Sequence, residues 1–152
     1  MEPFVDAALT VAKMGHQALR EAVQRADGSA LNWQPAPETN SIYMLVHHAL
    51  NSEKRWLVRA IGEEFGHERE ADFRLRGDDP VDLLRRIDEA DADVGHYLSQ
   101  LRPEDLTRQI PYREQQVSGA WAVVHALEHV REHVGHIGLT LQIWGQQQRP
   151  AS

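Results

Sequence analysis

Apolar side chains recur at helical spacing along four long stretches of the chain, each leaving a polar opposite face. The first runs from Pro3 to Ala26; Pro3 suits an opening helical turn, and Asp27-Gly28 marks the end. The second starts near Asn40 or Ser41 and continues to about Glu63, with Ile42, Leu45, Ala49, Trp56 and Ala60 on its apolar stripe. Asp79-Pro80 opens the third, since Asp caps and Pro fills the first turn, and it extends to about Leu101. Ser118 caps the fourth, which reaches Trp144 and stops at Gly145.

The intervening segments are rich in chain breakers. Asn32, Pro35, Pro37 and Asn40 punctuate the first, Gly66 and Gly77 a polar second, and Pro103 and Pro111 a third with room for a short extended piece. The pattern predicts an all-α, four-helix bundle as one domain over residues 1–146, with a disordered tail over 147–152. The middle connections are long enough to run the length of a bundle, so the topology need not be simple up-down-up-down.

Composition narrows the function. The chain has 152 residues and no cysteine, so it has neither disulfides nor thiolate ligands, and any thiol chemistry needs a thiol from outside. A net charge of −7, with Arg85 and Arg86 lying among Asp82, Asp88 and Glu89, argues against a nucleic-acid partner. No apolar run approaches the ~20 residues of a membrane span. The opening MEPFVDAALT lacks the basic start of a secretory signal. A cytoplasmic protein is expected.

Histidine is the anomaly: there are nine, four of them between positions 125 and 136. At about 100° per residue, His125, His129, His133 and His136 fall within an arc of roughly 80°. His129 and His133, one turn apart, can bite a single ion. A third ligand must come from another helix, and the second helix offers His47 and His48. The competing reading is a set of hydrogen-bonded core imidazoles, but burying several without partners is costly. His129-x-x-Glu132-His133 also fits the H-x-x-E-H pattern of inverted zinc peptidases, which are much larger α/β proteins; Glu132 reads better as a surface acid. Glu53 sits on the side of Ala49 and Leu57, so it either orients a ligating imidazole or pairs with an Arg or a helix N-terminus elsewhere in the bundle. Trp33, Trp56, Trp121 and Trp144 read as core or subunit interface rather than a substrate platform.

Taken in order, Asn40-Ser41-Ile42 followed by His48, Glu53 and Trp56, and then His125-x3-His129-x3-His133-x-Gly135, resemble the DinB-like superfamily of bacterial four-helix metal proteins. The chain departs from that pattern at His136, where Gln is usual, and at His47, which duplicates the second-helix histidine. The resemblance implies an up-down-down-up bundle, often a homodimer, with zinc or nickel held by His48, His129 and His133. Members with known activity include thiol-dependent isomerases and transferases, so the resemblance also implies a metal-dependent enzyme using an external low-molecular-weight thiol on a small-molecule substrate; a water-activating hydrolase fits the same site equally well. A non-catalytic metal-binding or stress-response protein is the alternative. Three neutral histidines leave a coordination position open, which suits activation of water or of a thiol.

Overall fold

The computed structural model describes residues 1–149. Its elements in chain order are α1 (Glu2–Arg25), α2 (Gly28–Asn32), α3 (Ile42–Ala60), α4 (Arg69–Asp72), α5 (Pro80–Gln100), α6 (Pro103–Thr107), β1 (Gln109–Tyr112), β2 (Gln115–Ser118) and α7 (Gly119–Gln147). The four expected helices are α1, α3, α5 and α7, and their starts follow from local chemistry. Ser41 accepts from Met44 N, Asp79 from Val81 N, and Ser118 from Trp121 N, each satisfying an otherwise free donor of a first turn. Gly62, at φ 86°, supplies the left-handed turn that stops α3. α7 continues past the expected Trp144 to Gln147. The tail expected to be disordered thus begins with a helical residue, and its positions 150–152 lie outside the described residues.

Contacts between the helices set their directions. On α1, His16 meets Asp91 and Arg20 meets Asp88, so α1 and α5 are antiparallel. Tyr43 meets Asp82 and Lys54 meets Asp93, so α3 and α5 are parallel. Trp56 lies against Trp121 while His48 lies against His133, so α3 and α7 are antiparallel. The order is up-down-down-up: residues 61–79 run the length of the bundle between the parallel α3 and α5, and the connection from Leu101 to Gly119 stays at the end where α5 finishes and α7 starts. Its extended piece is the hairpin β1–β2, which pairs Ile110 with Val117 and buries both. Small residues let α1 and α7 approach closely: a methyl group on Gly15 would sit 3.2 Å from Val130.

The core falls into two apolar clusters. One gathers Leu19, Val23, Leu45, Val46, Leu83, Ile87 and Ile137, the other Ala12, Trp56, Leu57, Val94, Leu98, Val123 and Ala126. On α1, α3 and α5 the junction between them is occupied by His16, Glu53 and Asp91, so a polar layer crosses the bundle there. No described helix is long and apolar enough to cross a membrane.

Candidate metal centre

Antiparallel packing of α3 on α7 carries His48 across to His129 and His133. His129 Nε2 lies 3.2 Å from His48 Nε2 and 3.2 Å from His133 Nε2. The three ligand atoms all fall within 4.8 Å of one another, the only such group among the described residues. A neutral imidazole has one N–H and one lone pair, and with the proton on Nδ1 each of the three converging Nε2 atoms offers its lone pair to the point where they meet. Nitrogens bound to a tetrahedral zinc at ~2.0–2.1 Å would stand about 3.3 Å apart. The donor set and its spacing therefore fit a divalent ion.

The surroundings keep those lone pairs available. Burial, reinforced by the neighbouring imidazoles, lowers the pKa of His129 to about 4 and that of His133 to about 3. Both rings are neutral near pH 7. His48 Nδ1 donates to Asp72 Oδ2 at 3.2 Å, which fixes the tautomer and turns the bare Nε2 toward the other two. Asp72 is itself buried and accepts from Asn51 Nδ2 at 2.8 Å. His67 Nε2 lies 2.9 Å from its other oxygen, off the angle of a hydrogen bond. Burial alone would raise the Asp72 pKa, but its contacts with His48, His67 and Asn51 outweigh burial and hold it at about 2.

The remaining histidines are sorted by position. His136 approaches His133 from behind, Nδ1 to Nδ1 at 3.3 Å, away from the converging Nε2 atoms. His125 stacks on Trp121 with ring centroids 4.5 Å apart and touches the edge of Trp56, forming an aromatic wall. His47 turns to Tyr43 and Asp82 instead. Glu132 is exposed, 3.7 Å from His129 Nδ1. Glu53 does not orient a ligating imidazole: its Oε2 bonds His16 Nε2 at 2.8 Å, and His16 Nδ1 bonds Asp91 Oδ1 at 2.7 Å. Of the tryptophans, Trp56 and Trp121 pack together in the second cluster, and Trp33 pairs with Trp144.

Beside the three imidazoles opens a cavity of about 520 Å³, bounded by His48, His129, Asp72, Trp56 and the hairpin residues Tyr112 and Arg113. Sequence reasoning missed Asp72, Asn51 and this hairpin wall. Asp72 sits on the four-residue α4, within a segment whose polar character concealed its attachment to the core by Phe73, which packs on His48 at 4.9 Å.

The sequence profile described as the DinB superfamily matches residues 13–137. Among solved structures, YfiT from Bacillus subtilis, described as a probable metal-dependent hydrolase with an unusual four-helix bundle topology, aligns with a TM-score of 0.76 at 18% identity, covering 93% of this chain and 87% of that one. A DinB-like protein from Bacillus cereus aligns with a TM-score of 0.74 at 13% identity, covering 92% of each. A mycothiol-dependent maleylpyruvate isomerase aligns with a TM-score of 0.68 at 13% identity, covering 88% of this chain and 60% of the isomerase. At these identities the likeness is one of fold. No functionally curated protein matches the chain in sequence.

Proposed function

The chain belongs to the DinB superfamily, and from that premise we propose that it is a divalent-metal-dependent enzyme acting on a small molecule, with His48, His129 and His133 as the ligands. The observation that carries this reading is the cavity of about 520 Å³ bounded by two of those three histidines. A metal-storage or purely structural site has no use for such an opening. Zinc and nickel both suit a set of neutral imidazoles.

A bound ion would supply Lewis acidity, lowering the pKa of a water or thiol brought to it. The protein's own residues do the rest. His129 and His133 stay neutral at the expense of their proton affinity. Asp72 holds the His48 ring in the ligating tautomer and adds negative charge behind it. Trp56, Tyr112 and His125 give the cavity an aromatic side that limits water. The chain contributes no thiol, so a transferase or isomerase reaction would draw on an external low-molecular-weight thiol, whereas hydrolysis needs only water. The names of two structural relatives, one a probable hydrolase and one a thiol-dependent isomerase, support both chemistries.

The test is to load the protein with zinc or nickel and assay ester and amide hydrolysis and thiol transfer, with and without added thiol. Metal-dependent turnover lost in His129→Ala supports the proposal; tight metal binding without turnover in either assay favours the non-catalytic reading. The expected homodimer is likewise a proposal, for which the apolar groove of Phe4, Val11, Val124 and Leu127 between α1 and α7 offers a surface. Light scattering at 17.3 kDa across micromolar concentrations would count against it.

A further inference from the structure

The cavity beside the three histidines is strongly basic on one side, in a chain whose net charge is −7. Arg55, Arg69 and Arg113 reach it from three separate elements: α3, α4 and the tip of the β1–β2 hairpin. Arg55 and Arg113 form no ion pair among the described residues, and Arg69 meets only the exposed Glu70 beside it, at 3.2 Å. Each is held by an aromatic face instead. The Arg55 guanidinium lies 5.5 Å from the Trp56 ring, Arg69 lies 4.8 Å from Phe73, and Arg113 lies 5.1 Å from Tyr112. Stacking of this kind steadies a guanidinium while leaving its edge of N–H donors unused.

Two further observations point to a missing partner. Arg55 Nε is buried with nothing to receive its hydrogen, and such a donor is costly to bury alone. Burial, then the charges of Arg59 and Arg69, lowers the Arg55 pKa, so the cluster repels itself as it stands. The two acids at the cavity offset the cluster only in part, Asp72 opposing but not reversing the lowering of the Arg55 pKa. Asp72 is committed to His48 and Asn51, and Glu132 lies on the His129 side.

We infer that Arg55, Arg69 and Arg113 form a subsite for an oxyanion, so that the small molecule taken by this cavity carries a carboxylate or a phosphate beside an apolar or aromatic body. The forked donors match either group, and Trp56 and Tyr112 face the body. The inference rests on the proposal that the cavity is a substrate site, but anion binding is measurable without turnover.

Calorimetric titration with benzoate, phenyl phosphate and neutral benzamide tests it, on zinc-loaded protein and again after the metal is stripped. Both anions should bind and benzamide should bind at least tenfold more weakly, with affinity falling as salt is added. Arg55→Gln and the solvent-exposed Arg113→Gln should each weaken anion binding by roughly tenfold while leaving zinc affinity unchanged. Tighter phenyl phosphate would assign a phosphate ester, and tighter benzoate a carboxylate. Equal binding of benzamide, wild-type anion affinity in both variants, or no anion binding at about 10 mM would overturn the inference. Zinc titration of the same samples keeps this outcome separate from any failure of the metal site.

Discussion

His16 and His133 are both buried imidazoles of one bundle, and their surroundings do opposite things to them. His16 is clamped between two carboxylates, Glu53 at 2.8 Å and Asp91 at 2.7 Å. Burial alone would lower its pKa, but those partners outweigh it and raise the pKa, and both ring nitrogens are occupied. His133 has imidazoles on both sides and no carboxylate in reach among the described residues, and its pKa falls to about 3. It stays neutral with a lone pair to give. The comparison shows that the neighbours of a buried histidine decide whether it serves as structure or as a ligand. Carboxylates take up the imidazole protons at one site, and a metal ion would take up the lone pairs at the other.

The largest effect should come from breaking the structural side. Glu53→Ala removes one of the two carboxylates that clamp His16, leaves its buried Nε2 facing a void, and should cost about 3–5 kcal/mol of stability in denaturant unfolding. Zinc affinity should not change, because Glu53 touches none of the three converging histidines. The reverse result, stability retained and zinc lost, would erase the distinction between the two sites.

Acid should separate them next. The depressed pKa values of His129 and His133 confer stability that is present above their unfolded value of ~6.5 and is lost as pH falls toward about 4 and about 3. The raised pKa of His16 confers stability that is present below ~6.5 and is lost as pH rises through its folded value. Thermal melts of stripped protein should therefore show His133→Ala flattening the acid limb and His16→Gln flattening the alkaline limb. Zinc-loaded protein should keep its extra melting temperature down to mildly acid pH and lose it as pH falls toward about 4, where protons begin to compete with the ion for His129 and His133.

Smaller effects sharpen the ligand set. Asp72→Asn keeps an acceptor for His48 but removes the charge, and zinc affinity should fall roughly tenfold by competition with a chelating dye. His136→Ala should change it by no more than a few-fold, since His136 meets His133 on the nitrogen turned away from the others.

How much of this was legible in the chain depended on how local each signal was. The four long helices were, because Ser41, Asp79-Pro80 and Ser118 declare their starts within a few residues. So was the pairing of His129 with His133, which one helical turn dictates. The choice of His48 over His47 came from the family resemblance; in the structure His47 turns to Tyr43 and Asp82 while His48 meets His129. His16 with Glu53, and the arginine cluster, were invisible, because their partners come from separate elements with no shared period. Asp72 was hidden by a short helix inside a polar connection.

The most direct test of the central claim is metal stoichiometry, measured by elemental analysis after dialysis against zinc or nickel. One ion per wild-type chain, retained in His16→Gln and in His136→Ala but lost in His48→Ala, His129→Ala and His133→Ala, is the predicted result. Full occupancy in His48→Ala with loss in His136→Ala would contradict the account and place the site on α7 alone.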